Sequence, residues 1–346
     1  MFWRFICYFL CIFATLFKFM NVFYYIQTLT SARAANVIRT AWSYCLSSIG
    51  IYKFRHYPSF ISIEPANYCM LHCPQCPVGI KSTEERKLLD IKTFSSILEK
   101  TQKYVHTMIF HFQGEPLLNS QLSEMIRLAR QYKIYTMLST NGLLMTENLA
   151  NRLIESGLSH IIISIDGITQ TSYETYRKGG KLEDAISAVK LLSEMKKLHK
   201  THYPIIEVQC LMLKSNEHEW DEIKREYRQW GADKLTMKSA QFYNYEQGDP
   251  LMPSNEKYSR YRRNSDGTYS RKKAYYNRCY RLWSGAVIDV DGNLLPCCFD
   301  KDRNFSFGNI TKNSLDEIVH SVKAEEFRKR VMRQRKAIDI CRNCTE

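Results

Sequence analysis

Residues 59–76 read SFISIEPANYCMLHCPQC: a short apolar stretch closed by Pro65, then Cys69, Cys73 and Cys76 within eight residues. The β-branched and aromatic residues of 59–65 make a strand, and Pro65 ends it. The cysteines therefore lie on the loop that leaves a strand's carboxyl end. Three thiolates on one short loop can bind three irons of a [4Fe–4S] cube, whereas a fully ligated cluster takes four Cys. The fourth iron is then open to a substrate or cofactor. Zinc is the competing reading, but a structural zinc site needs four protein ligands, and His72, adjacent to Cys73, is badly placed to be the fourth.

The pattern repeats outward from that loop. Strand-like segments at 59–65, 107–112, 134–138, 160–165, 205–213 and 234–238 alternate with helical ones at 91–104, 121–132, 146–156, 182–199 and 217–230. Thr146 suits the N-cap of the third helix. Continuous apolar strands between helices make a parallel sheet covered by helices. Six β/α units are two short of the full eight-unit barrel, so the expected fold is α/β, a partial (β/α)6 barrel over 57–240. In such sheets functional groups gather at the carboxyl ends of the strands. Short polar turns stand at those ends: the cysteine loop, Gly114-Glu115-Pro116, Thr140-Asn141-Gly142 and Asp166-Gly167.

Taken together, these features resemble the radical S-adenosylmethionine (SAM) superfamily, whose signature is C-x3-C-x2-C after the first strand of a partial barrel. The resemblance covers roughly 60–240. It implies that Cys69, Cys73 and Cys76 hold a [4Fe–4S] cluster whose open iron binds SAM. Gln113-Gly114-Glu115-Pro116 is similar to the family's GGE motif, which holds the methionine amino group, with Gln113 where Gly is usual. Ser164 and Asp166, in Ser164-Ile165-Asp166-Gly167, fall where relatives approach the ribose and carboxylate. Tyr173-x-x-Tyr176-Arg177 resembles the segment after this strand. Gln75 stands where relatives carry an aromatic near the adenine. The cofactor contacts implied are Gln75, Gly114, Glu115, Pro116, Ser164, Asp166 and Arg177.

Beyond residue 240 the texture changes. Residues 241–278, rich in Tyr, Arg and Lys, read as a linker. Residues 279–346 read as a small cysteine-bearing α+β domain, with a hairpin at 287–295 (VIDVDGNLL) and a basic helix at 315–333. Cys279-x17-Cys297 and Cys341-x2-Cys344 supply four thiols, enough for a closed cluster. A zinc ribbon is the competing reading, but its pairs are two residues apart. After a radical SAM barrel the pattern resembles a SPASM or twitch domain in its single-cluster form, implying one auxiliary [4Fe–4S] cluster on Cys279, Cys297, Cys341 and Cys344. Cys298 is left over, either a replacement for Cys297 or a small buried hydrophobe.

Residues 1–56 hold an apolar, aromatic segment. Residues 5–32 carry one charge, Lys18. It reads as a segment lying in a membrane interface, with a transmembrane helix, a signal peptide and a helix packed on the protein's own body as competitors. Eight of the 12 cysteines are clustered at metal-ligand spacing in a long chain, while Cys7, Cys11, Cys45 and Cys210 are scattered; this excludes a small secreted disulfide scaffold and favours a reducing, cytoplasmic compartment, at the inner face of the membrane if the segment binds it. The net charge of +14 comes with no nucleic-acid motif, so nucleic acid is not expected.

The resemblance implies reductive cleavage of SAM to methionine and a 5′-deoxyadenosyl radical that abstracts a substrate hydrogen, fed by a flavodoxin- or ferredoxin-type donor. With an auxiliary cluster beside the substrate, a net dehydrogenation is the leading expectation. Modification of a peptide or protein is the alternative. A non-catalytic iron–sulfur electron carrier is the reading from another class, and it predicts no SAM cleavage. Neither the substrate, small molecule or peptide, nor a general base follows from the residues.

Overall fold

The apolar alternation of residues 59–240 becomes a sheet wrapped in helices in a computed structural model, which describes residues 27–80 and 85–345. Ahead of the sheet runs helix α1 (Ser31–Ser48). The repeating units follow as β1 (Phe60–Ile63), α2 (Ile91–Thr101), β2 (Thr107–Phe110), α3 (Leu122–Gln131), β3 (Tyr135–Thr140), α4 (Glu147–Glu155) and β4 (His160–Ser164). Then come α5 (Gln170–Tyr176), α6 (Leu182–Leu198), β5 (Ile205–Met212), α7 (Trp220–Glu226) and β6 (Lys234–Ser239). β1 to β6 pair in parallel in chain order, with Ile61 opposite Met108, Phe110 opposite Leu138, and Ile163 opposite Val208.

The period of two sets what each strand face does. Ile61, Ile63, Met108, Phe110, Leu138, Ile161, Ile163, Ile206 and Val208 point to the helices and join one core with Phe94, Ile97, Met125, Ile126, Leu153, Val189 and Leu192. Truncating a fully buried member such as Phe94 to Ala removes about 3–5 kcal/mol. The residues between them face the barrel interior. Helix starts carry the expected caps: Asp90 for α2, Thr146 for α4 and Thr169, with a capping box, for α5.

The C-terminal segment does not stand apart from this sheet. β9 (Gly285–Ile288) pairs in parallel with β1, and the hairpin partner β10 (Asn293–Leu295) and β11 (Gly308–Asn309) extend it to nine strands. Gly285 permits the junction, since a Cβ there would lie 2.1 Å from the Phe60 ring. The stretch expected as a linker carries its own hairpin, β7 (Tyr261–Arg263) with β8 (Tyr269–Arg271), and buries Phe242, Met252, Tyr258 and Tyr261. The basic helix expected at 315–333 is two helices, α8 (Leu315–Val319) and α9 (Val322–Gln334). Ser321 breaks it: its hydroxyl caps Ala324 N–H at 3.2 Å, and a serine satisfied that way starts a helix rather than continuing one.

α1 is anchored by Arg33, buried to 1% exposure. Its guanidinium donates to the carbonyls of Gln102 (2.9 Å), Tyr132 (2.8 Å), Lys133 (3.2 Å) and Thr28 (2.7 Å). Gln102 and Tyr132 are the C-caps of α2 and α3, so one cation sits on two negative helix ends. The described part of residues 1–56 thus packs on the body. The interfacial reading covers residues 5–32, of which 5–26 lie outside the described residues. Among the described residues no helix is long and apolar enough to cross a membrane.

Candidate active site

The loop after β1 is fixed before any ligand is considered. Asn67 Nδ2 donates to Glu85 O (2.9 Å) and its Oδ1 accepts from Lys87 N–H (2.8 Å), clipping the two ends of the loop together. Cys76 N–H donates to Cys73 O at 3.1 Å, and Gly79 fits against Cys73, where a Cβ would meet backbone N and O at 2.6 Å. Cys69, Cys73 and Cys76 all line one cavity of about 880 Å³ at the carboxyl ends of the strands. Burial, opposed by the Leu71 N–H, pushes the Cys69 thiol up to about 11. Burial also raises Cys73, against the opposing charge of Arg177. Bound iron would displace such protons, since thiolate is the ligand form.

The turn after β2 is pressed against this loop. Gly114 has φ +67°, and a Cβ on it would lie 2.3 Å from Ala66 O and 2.8 Å from Tyr68 N and O, so only glycine fits. Glu115 N–H donates to Tyr68 O at 2.8 Å. The Glu115 carboxylate is buried and ties three elements: Oε1 accepts from Leu117 N–H (3.0 Å) and Thr140 Oγ1 (2.5 Å), and Oε2 from Asn141 N–H (2.9 Å). Burial raises its pKa against these hydrogen bonds. Gln113, the departure from glycine, straps the far side of the cavity by donating Nε2 to Lys301 O at 2.8 Å.

After β4, Ser164 faces the cavity while Asp166 is buried behind it. Asp166 Oδ2 accepts Arg177 Nε–H at 2.6 Å and Oδ1 accepts Leu211 N–H at 2.6 Å. Burial alone would lower the Arg177 pKa, but Asp166 and then Cys73 raise it above the usual value. Of the expected cofactor contacts, Gln75, Gly114, Glu115, Ser164 and Arg177 line the cavity; Pro116 and Asp166 do not. Pro116 opens the helical turn Pro116–Leu118, and Asp166 aims Arg177. Gln75 donates its amide to Asp249 Oδ2 at 2.9 Å, which joins the cysteine loop to the 241–278 segment.

The second cysteine set lies outside the cavity lining. The charges of Cys341, Cys344 and Arg335 reach Cys279, and those of Cys279 and Cys341 reach Cys297, so the four approach one another. Burial pushes Cys279 up to about 12 against the charge of Arg335. Cys298 points elsewhere: it lines the barrel cavity and packs with Phe112, Val287 and Leu295. All described cysteines are free thiols. Among the described residues no three His, Cys, Asp or Glu converge as the ligands of one metal ion; in a cube each thiolate takes a different iron. The donor chemistry, three thiols on the cavity and four behind its wall, fits two iron–sulfur clusters.

The sequence reading missed other lining residues. His111, Gln209, Lys238 and Lys301 all face the cavity, and so does Asn141 of the expected Thr140-Asn141-Gly142 turn. Gln209 and Lys238 share the inward register of their strands, a signal present in the period-two pattern. Lys301 had none, because a loop two strands away brings it in.

The sequence profile of the radical SAM superfamily matches residues 63–234, and that of an iron–sulfur cluster-binding domain, SPASM, matches residues 279–345. Among solved structures, BtrN in complex with AdoMet and 2-DOIA is 20% identical at a TM-score of 0.51, covering 84% of this chain and 93% of that one. Native anSMEcpe with bound AdoMet is 17% identical at 0.58, covering 83% and 88%. SuiB of Streptococcus suis bound to precursor peptide SuiA is 14% identical at 0.62, covering 90% and 75%. At these identities the likeness concerns the fold.

Proposed function

The chain belongs to the radical SAM superfamily and ends in a SPASM iron–sulfur domain, and from that membership we propose that it oxidises its substrate by two electrons in the cavity beside Cys69, Cys73 and Cys76. When bound, SAM and the clusters would supply the redox chemistry: reductive cleavage of SAM to a hydrogen-abstracting 5′-deoxyadenosyl radical, and an acceptor for the electron left on the substrate, which in sum would lose a hydrogen atom, an electron and a proton. The observation that carries the reading is that Cys298, Phe299, Lys301, Ile340 and Asn343 of the C-terminal segment line the same cavity as the three cysteines. Cys341 and Cys344 flank lining residues Arg342 and Asn343, and Cys297 precedes Cys298, which supports an auxiliary cluster near enough to the cavity to accept an electron.

The residues divide the work. Cys69, Cys73 and Cys76 would hold the SAM-side cluster, and Cys279, Cys297, Cys341 and Cys344 a single auxiliary one. Gly114 and Glu115 would form the turn that receives the methionine amino group, Ser164 and Arg177 would serve the carboxylate and ribose, and Gln75 would border the adenine; all five line the cavity. The barrel walls keep water from a radical. A flavodoxin- or ferredoxin-type protein would supply the reducing electron. Exposed Ile38 (58%), Trp42 (56%) and Ile49 (55%) on and just after α1, next to the aromatic N-terminal segment, support association with a lipid surface.

The test is anaerobic reconstitution, iron counting, reduction with dithionite and addition of SAM. About eight iron per chain, from two four-iron clusters, with 5′-deoxyadenosine formed is the expected result. Iron without SAM cleavage would leave an electron carrier, and zinc in place of iron would overturn the reading.

A further inference from the structure

The charged lining of the cavity is uneven. Arg177, Lys238, Arg260, Lys301 and Arg342 face it against Glu115, Glu246 and Asp339. Most of these have partners. Arg177 is held by Asp166, Arg342 donates to Asp339 at 2.6 Å, and Glu115 is committed to its own turn. Arg260 folds back to Ser239 O at 2.9 Å and Gln241 Oε1 at 3.2 Å, and Glu246 is exposed at the rim.

Lys238 and Lys301 remain. Lys238 comes from β6 and has no hydrogen bond or ion pair among the described residues. Lys301 donates to Phe112 O at 3.2 Å and stands 4.5 Å above the Phe112 ring, which leaves two of its three N–H donors for the cavity. His111 is the third group. It lines the cavity, and because its Nδ1 is buried without a hydrogen-bond partner among the described residues, Nε2 is the nitrogen left for a ligand. Burial, then the charges of Lys301, Arg281 and Lys238, push its pKa down to about 4. The imidazole is therefore neutral near pH 7, with one donor and one acceptor nitrogen.

Two ammonium groups near one neutral imidazole, with no free carboxylate among them, repel each other until an anion arrives. We propose that Lys238, Lys301 and His111 form a subsite for an oxyanion, the phosphate or carboxylate of the substrate. An oxyanion accepts both ammonium donors and the imidazole N–H as charge-assisted hydrogen bonds. None of the three is among the residues that the resemblance assigns to SAM. This inference rests on the proposed function in taking the cavity as the reaction chamber.

The experiment titrates the reconstituted protein, with and without SAM, with inorganic phosphate and, separately, with succinate, by anaerobic calorimetry. Saturable binding of at least one is expected, and which one binds tells a phosphorylated substrate from a carboxylate. Lys238→Gln and Lys301→Gln should each weaken it by about tenfold or more, while Lys238→Arg and Lys301→Arg, which keep the charge, retain most of it. No binding by either anion overturns the proposal. So does binding that SAM abolishes, which would assign the lysines to the SAM carboxylate, or binding that survives both Gln variants. The readout needs no turnover, so failure to form 5′-deoxyadenosine counts against the proposed function and not against the subsite.

Discussion

Asp166 receives the Arg177 guanidinium at 2.6 Å from a position with no solvent exposure, and thereby aims a cation at Cys73. A buried carboxylate so placed is a positioning group: it faces away from the cavity and acts through its partner. Removing one member of a buried pair leaves the other charge uncompensated.

Asp166→Asn should therefore lower stability by about 3–5 kcal/mol, or Tm by roughly 4–7 °C for a chain of this size. The double variant Asp166→Asn/Arg177→Gln should lose less than Asp166→Asn alone, because the orphaned charge is gone. Thermal unfolding reads both, and an unchanged Tm for Asp166→Asn would refute the pairing.

Gly114→Ala forces a Cβ to within 2.3 Å of Ala66 O. The turn must leave the cysteine loop, at a cost of about 1–3 kcal/mol for the strained backbone. SAM binding measured by equilibrium dialysis should fall at least tenfold while the fold survives. Native-like SAM affinity would show that the contact between turn and loop does not matter.

Cys298 lines the cavity, whereas Cys297 does not and lies within electrostatic reach of Cys298, Cys279 and Cys341. Cys297→Ala should thus reduce the iron content, and Cys298→Ala should leave it near the native level. Removal of Cys69, Cys73 and Cys76 together should cost about four iron per chain, and removal of the other four ligands about four more. Iron lost on Cys298→Ala instead would exchange the two assignments.

Glu207 Oε2 lies 3.0 Å from His160 Nε2 and 2.8 Å from Lys234 Nζ. Burial works to raise its pKa, but hydrogen bonds from His160, Lys234 and Thr236 outweigh it and hold the value at about 2. Since the folded value is below the unfolded one, the stabilisation is fully present above about pH 4.5 and is lost as pH falls toward 2. Glu207→Gln should cost on the order of 2 kcal/mol at pH 7, and the gap to the native chain should close across that window in denaturant titrations. A gap independent of pH would mean the carboxylate is not held ionised.

A chain beginning at residue 27 should keep its Tm, whereas one beginning at 57 loses α1 and the Arg33 anchor and should unfold earlier. Only the full chain should float with anionic phospholipid vesicles if residues 1–26 bind lipid. Equal flotation of the full chain and the chain from 27 would remove that role from the segment.

The period-two strands and period-3.6 helices made the barrel legible because each element's apolar face is written locally. All six strands of the barrel were readable, as were the caps at Thr146 and the hairpin around Gly292. The cysteine loop was legible for the same reason: three ligands lie within one short turn. Local sequence did not reveal that β9 joins β1, that Arg33 caps α2 and α3, or that Gln75 meets Asp249. Those contacts join residues far apart in the chain, and nothing in either partner's neighbours encodes the other. Asp166 and Ser164 stand two residues apart on one turn, yet only the packed barrel decided which faces the cavity and which is buried as an anchor. The same holds for Lys238 and Lys301, which come from distant parts of the chain and line one cavity, where both charges reach His111, only in the folded protein. Sequence thus determined the fold and the metal chemistry, which depend on short-range pattern. Tertiary structure decided the electrostatics of the cavity, which depend on distances between elements that only folding sets.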